Sequence, residues 1–128
     1  MINKALYKTI KDNFVTDTFY RNSGYNAEKP YFVIKTVDAN EDSVKNVFCT
    51  EVSGQVLLQI DSVAINTALS EDNLEPIKDY VKGLTSVSDG TNNYIIENNI
   101  TDGVRSIEDV TLNTWLSFFE STLTWRLI

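Results

Sequence analysis

The chain has 128 residues, 42% hydrophobic and 23% charged, which is usual for one folded domain and excludes wholesale disorder. Its formal net charge is −7, from 11 basic and 18 acidic residues, and no three basic residues are consecutive. Proteins that bind phosphate backbones or anionic membranes need clustered lysine and arginine, so sequence-specific nucleic-acid binding and membrane binding are disfavoured.

The residue types that carry most protein chemistry are scarce. Histidine is absent and Cys49 is the one cysteine, which rules out a disulfide within one copy, a zinc site and a serine–histidine–acid triad. None of the five glycines lies in a phosphate-binding pattern. We therefore predict no catalytic residue, no cofactor and no metal site, and we do not expect an enzyme.

The first predicted element is an amphipathic helix over residues 2–13. Ile2, Leu6 and Ile10 recur every four residues, which places them on one face of a helix. Residues 15–30 are rich in turn-forming residues but also contain aromatic side chains. We expect this loop to pack against the domain or to contact a partner.

The next segments predict strands followed by a second helix. Residues 31–37 form a strand pattern, the acidic residues 38–43 a polar turn, and residues 44–63 a long strand or strand pair with a bulge or turn at Gly54. The second helix is predicted to begin near Asn73, because Pro76 is tolerated only in a first helical turn.

The last third of the chain predicts further strands. Residues 86–93 and 98–109 are polar loop segments around a short strand at 94–97. Residues 111–128 alternate, with large apolar side chains at odd positions: Trp115, Phe119, Leu123, Trp125 and Leu127. The order of elements predicts an α+β fold with an antiparallel, curved sheet of four to five strands and two helices packed on one face.

This order of elements resembles the tail-terminator proteins of long-tailed bacteriophages. The segments that carry the resemblance are the N-terminal helix, the strand entered at Pro30, the long strand 55–62 leading into helix 73–84, and the alternating strand 119–126. The resemblance is one of pattern, without a residue signature, and covers residues 1–128 as a single tail-terminator-like domain. A related neck or head–tail joining ring protein has nearly the same pattern.

The resemblance implies a structural virion protein that forms a ring, expected to be a hexamer, at the head-proximal end of the tail. Such a ring ends tail-tube growth and joins the tail to the head. The implied partners are other copies of the chain, tail-tube proteins and neck or connector proteins, and DNA passes through the lumen. The implied location is the virion, after synthesis in the cytoplasm of a bacterial host.

A ring requires two unlike patches of each copy to meet. We predict a subunit or partner interface made by loop aromatics and by residues of the last strand: Phe19, Tyr20, Tyr25, Leu116, Phe118 and Arg126. Acidic loop residues are candidates for the lumen or for docking loops: Asp38, Glu41, Asp42, Asp89 and Asp102. Two alternatives stay open, a domain that binds a small ligand in an apolar pocket and an adaptor that binds another protein.

Overall fold

The computed structural model describes residues 2–21, 28–45, 51–109 and 114–128, without the side chains of residues 38–45, 51 and 109. The elements follow each other as α1 (Ile2–Asn13), β1 (Phe19–Arg21), β2 (Tyr31–Lys45), β3 (Glu51–Ala64), α2 (Thr67–Lys82), β4 (Ser86–Ser88), β5 (Asn93–Thr101), β6 (Arg105–Asp109) and β7 (Thr114–Leu127). The α+β class predicted from the sequence is confirmed.

The described strands form one seven-stranded sheet in the order β1-β2-β3-β7-β5-β4, with β6 paired to the first part of β7. β1 runs parallel to β2, whereas the other pairs are antiparallel. The predicted antiparallel sheet of four to five strands is therefore wrong in strand number and in the direction of β1. The strands that the sequence did not indicate have three to five residues, too few for an alternating pattern to stand out.

The centre of the sheet is the ladder between β3 and β7, which pairs Ser53–Ala64 with Trp115–Arg126 without a register shift. Val56, Leu58 and Ile60 share one face with Phe119 and Leu123, and all five are fully buried. The alternation predicted for the tail is confirmed. This pairing creates one apolar face across the middle of the sheet.

Two predicted irregularities, the bulge or turn at Gly54 and the polar turn at residues 38–43, lie within strands. Gly54 lies inside β3 opposite Trp125, a buried position where a residue without a side chain suits a large indole. The register shift lies on the neighbouring strand, between Ala39 and Val44 of β2. Residues 38–43 belong to β2 rather than to a turn. Asp38 and Ala39 pair with β3, and this pairing overrides the low strand propensity of an aspartate.

Helix α1 lies inside the curl of the sheet and contacts both of its edges. Thr9 Oγ1 donates to the backbone oxygen of Ser88 in β4 at 3.4 Å, and Tyr7 Oη donates to the backbone oxygen of Phe19 in β1 at 3.3 Å. Because β1 and β4 stand at opposite ends of the strand order, the sheet must wrap around the helix. The apolar stripe of α1 fills the concave face.

Helix α2 covers the same face but begins earlier than predicted. It starts at Thr67, and the N-cap Asn66 accepts a hydrogen bond from the backbone N–H of Leu69 at 2.8 Å. Pro76 therefore lies inside the helix, where it removes one backbone hydrogen bond. Pro76 and Asp72 are both exposed, so the carbonyl freed by the proline can bind water.

Hydroxyl groups hold the first half of α2 on the sheet. Ser70 Oγ lies 2.7 Å from Ser117 Oγ of β7, which lies 2.9 Å from Ser106 Oγ of β6. Ser106 in turn donates to Glu71 Oε1 at 2.8 Å. Buried hydroxyls that are paired in this way avoid the cost of unsatisfied polar groups, and they fix the position of the helix along β7.

Leu6→Ala should lower the free energy of unfolding by about 3 kcal/mol, because it leaves a cavity where α1 fills the curl. Lys4→Ala, at an exposed position of the same helix, should change it by less than about 0.5 kcal/mol. Urea unfolding measures both. Equal effects would show that α1 is not held by its apolar stripe.

Candidate interaction surface

The face of the sheet opposite the two helices is the candidate site, and we call it the open face. Strand register places residues from six strands on it. Its members are Tyr20, Tyr31, Val33, Lys35, Val37, Ser53, Gln55, Leu57, Gln59, Asp61, Val63, Ile95, Asn98, Ile100, Arg105, Ile107, Thr114, Leu116, Phe118, Glu120, Thr122, Thr124 and Arg126, and Glu97, which pairs with Arg126, joins them.

Two apolar rows cross the open face. Val37, Leu57 and Ile100 form one row with Thr122 across β2, β3, β7 and β5; Val37 is 63% exposed and Ile100 60%. The second row contains Tyr31, Val63, Leu116 and Ile107 across β2, β3, β7 and β6; Ile107 is 59% exposed, whereas Val63 is only 4% exposed. Contiguous apolar side chains on a surface are typical of a protein interaction site.

A band of charged side chains separates the two rows. Lys35 Nζ lies 2.6 Å from Asp61 Oδ2, and Gln59 Nε2 donates to Asp61 Oδ1 at 2.6 Å. Asp61 is only 2% exposed although it points away from both helices. A carboxylate at this depth needs its cation and its hydrogen bond, so the pair is part of the architecture of the face.

Arg105 continues the charged band on β6. Its Nη2 atom lies 3.8 Å from Glu120 Oε2 and 3.8 Å from Asp102 Oδ2, and its guanidinium stands 5.1 Å from the centre of the Phe118 ring. These contacts are partly exposed and individually weak. Together they give the face a fixed pattern of both signs of charge.

Tyr20 and Tyr31 form the aromatic corner of the open face. Their rings meet edge to face, with centroids 5.6 Å apart. Burial raises the pKa of Tyr31, and the nearby Asp61 and Tyr20 raise it further. Tyrosine is already protonated at neutral pH, so this rise only extends the protonated range of Tyr31 to higher pH.

The predicted interface residues do not all lie on the open face. Tyr20, Leu116, Phe118 and Arg126 lie on the open face, and Arg126 Nε donates to Glu97 Oε1 at 3.0 Å. Phe19 does not: it is 6% exposed and stacks on Phe32 in the core, with ring centroids 5.1 Å apart. Its assignment to an interface is wrong because neighbouring strand residues point to opposite faces. Tyr25 lies outside the described residues.

The predicted acidic residues do not form one group. Asp38, Glu41 and Asp42 are strand residues of β2, not loop residues. Asp89 lies in the turn before β5, and Asp102 lies just after it, so a strand of about 30 Å separates them at roughly 3.3 Å per residue. The far end of β2 and the Asp89 turn lie at the same end of the sheet.

Asp89 has a local structural role. Its Oδ1 atom accepts hydrogen bonds from the backbone N–H groups of Asn92 at 2.7 Å and Thr91 at 2.8 Å. These two hydrogen bonds lower the pKa of Asp89, because they stabilise the ionised carboxylate. Such a turn is typical of aspartate before glycine, here Gly90 with φ of 92°.

The sequence did not indicate Val37, Leu57, Ile100 or Ile107 as site residues. Val37, Ile100 and Ile107 each stand in or beside a polar segment, and Leu57 stands inside the apolar run 56–60. The sequence signal that could have found Leu57 is the alternation of the strand: its even-numbered residues are buried, and Leu57 has an odd number and so points to the other face. That signal becomes useful only when the strand register is known.

Grooves among the described residues have polar and apolar surface in similar amounts. The groove between α1 and the Asp89 turn has a volume of about 390 Å³ and is lined by Lys8, Thr9, Asp12, Asn13, Tyr80, Ser88 and Gly90. Small-ligand pockets are usually mostly apolar, so this groove supports the ligand-binding alternative less than the open face supports a protein contact. In the ranges that the structure covers, no three His, Cys, Asp or Glu side chains cluster as metal ligands would.

The described helices include none that is long and apolar enough to cross a membrane.

Comparison with known proteins reports on the fold alone. No protein-family model and no curated protein matches the chain. One of the solved structures that match has no stated function, is 9% identical, and aligns with a TM-score of 0.55 over 99% of this chain and 90% of its own. At this identity the likeness shows a shared α+β fold.

The Lys35–Asp61 pair should respond unequally to removal of either partner. Lys35→Met leaves a buried carboxylate without its cation and should cost roughly 2–3 kcal/mol of stability. Asp61→Asn should cost about 1 kcal/mol, because Lys35 is 43% exposed and can turn to water. Urea unfolding measures both variants; a larger cost for Asp61→Asn would contradict this account.

Asp89→Asn should be less stable than the native protein at pH 7, and the difference should become smaller at about pH 3, below the usual aspartate pKa. The folded-state pKa of Asp89 is lowered, so its stabilising effect is present above the unfolded-state pKa. The effect is lost as the pH falls through the lower folded-state pKa. Urea midpoints at both pH values test this, and a difference that is equally large at low pH would exclude the charge as its cause.

Proposed function

We propose that the protein is a structural virion protein that forms a ring at the head-proximal end of a phage tail. In that position it ends tail-tube growth and joins the tail to the head or neck. The observation that carries this proposal is the open face, which bears two apolar rows on a domain whose core is already filled on the other side.

The completeness of the core supports a binding role for the open face. Both helices and the central strands contribute to one buried cluster on the concave side, including Leu6, Ile60, Leu74, Ile77 and Phe119. The apolar rows of the open face add nothing to that cluster. Burying such surface is worth about 25 cal/mol per Å², so contact with another protein would stabilise the assembled state.

The charged band supports a contact with a defined orientation. Lys35 and Arg105 alternate with Asp61, Glu120 and Asp102 between the two apolar rows. A pattern of both signs discriminates between correct and incorrect partners more than it adds affinity. We assign the open face to docking on a tail-tube or neck protein, and the contacts between copies to other surfaces.

The acidic balance is consistent with DNA passing through the ring without being held. The net charge of −7 opposes the counterion release that DNA binding requires. Glu41 and Asp42 lie toward the end of the sheet that carries Asp89. In our proposal this end faces the lumen or the next ring, and Asp102, which lies in the charged band of the open face, does not share that role.

The first test is the solution mass of the native protein, measured by light scattering across a concentration range. A closed ring, formed at once or as the concentration rises, is the expected result. A protein that stays monomeric at the highest concentrations would contradict ring formation. It would leave the adaptor function, in which a single copy binds another protein through the same open face.

The open face is tested by replacing its most exposed apolar residues. Val37→Glu with Ile100→Glu should leave the fold and the solution mass unchanged and reduce the fluorescence of a dye that binds apolar surfaces. Ile65→Glu is the matched control, since Ile65 is 56% exposed and lies outside the sheet. If native assembly itself removes dye binding, the open face is buried between copies and its assignment to another protein is wrong.

A further inference from the structure

The exposed side of α1 is basic. Lys4, Lys8 and Lys11 are exposed and separated by four and three residues, which places them along one side of the helix. We call them the lysine stripe. Asp12 is the one acidic residue of α1, so the helix carries three lysines against a single carboxylate.

The exposed side of α2 is acidic. Asp72, Glu75 and Asp79 are exposed and separated by three and four residues, the same spacing in reverse order. We call them the carboxylate stripe. Four carboxylates and two lysines lie in α2 as a whole, so its charge is opposite to that of α1.

Within one copy, the two stripes are engaged mainly by local contacts. Lys8 pairs with Asp12 at 2.6 Å, Lys11 stands over the Tyr7 ring at 5.6 Å, and Glu75 pairs with Lys78 at 4.0 Å. The positive charge of Lys4 acts on Asp89. The lysine stripe therefore keeps an excess of positive charge at the surface, and the carboxylate stripe keeps an excess of negative charge.

We propose that the lysine stripe of one copy docks against the carboxylate stripe of the next copy. The occupant of each stripe is a second copy of this chain, because the chain carries both complementary surfaces. Two unlike patches that meet give a head-to-tail contact, which is the kind that closes a ring or extends a filament. Complementary charge steers the encounter and sets its orientation. The inference rests on the proposed self-assembly and names its lateral contact.

Charge reversal provides a test with built-in controls. The first variant combines Lys8→Glu and Lys11→Glu, and the second combines Asp72→Lys and Asp79→Lys. All four positions are exposed, so both variants should fold, which circular dichroism checks. Alone, each variant presents like charges at the contact and should need at least roughly ten times the native concentration to assemble.

Mixing restores complementarity. In an equal mixture of the two variants, each contact joins either two native stripes or two reversed ones, so assembly should return. The four-fold variant restores the native net charge of −7 with both stripes reversed, and it should assemble by itself. This variant separates the contact from a general effect of net charge.

The outcomes distinguish this inference from the function on which it rests. If the native protein assembles and both reversal variants assemble equally well, the helix contact is wrong and the ring proposal stands. Loss of assembly that neither mixing nor the four-fold variant reverses would also overturn the contact. A native protein that never assembles would overturn both.

Discussion

The rest of the structure depends on the burial of the α1 apolar stripe inside the curl of the sheet. A twelve-residue helix is not stable alone in water, and a curled sheet with an empty concave face would expose its apolar side chains. Ile2, Leu6 and Ile10 meet both requirements, being almost completely buried. The same helix bonds to the short edge strands β1 and β4, so it also determines where the sheet ends.

This arrangement makes the two faces of the sheet chemically different. The concave face is filled by both helices and fixed by the serine chain beneath α2. On the open face Asp61 and Val63 are buried, whereas Val37, Ile100 and Ile107 are exposed. Because β3 and β7 pair without a register shift, the division between the faces is sharp, and side chains on one face have fixed neighbours on the other strand.

The sequence predicted those elements in which apolar residues recur at a regular spacing over many residues. The stripe of α1 and the alternation of β7 needed no knowledge of the partner strands. The sequence does not indicate the start of α2, because Pro76 is typical of a first helical turn and one capping asparagine, Asn66, is a weak signal among other polar residues. The short strands β1, β4 and β6 exist because longer strands stand beside them.

The open face shows the limit of sequence reasoning most clearly. Phe19 and Tyr20 are adjacent and both aromatic, yet one lies in the core and the other on the surface. Which of them is buried depends on pairing with Phe32 and Val33, a contact between segments that propensity does not describe. The apolar rows likewise arise from residues far apart in the chain, so their continuity appears only in three dimensions.

The central ladder of the sheet has a consequence for the rate of folding. It joins Ala64 to Trp115 and Ser53 to Arg126, so α2 and the strands β4 to β6 lie in the loop that must close before β3 and β7 can pair. Closing such a loop costs chain entropy before the contacts repay it. Contacts between residues far apart in sequence slow folding, so this ladder sets the pace at which the domain folds.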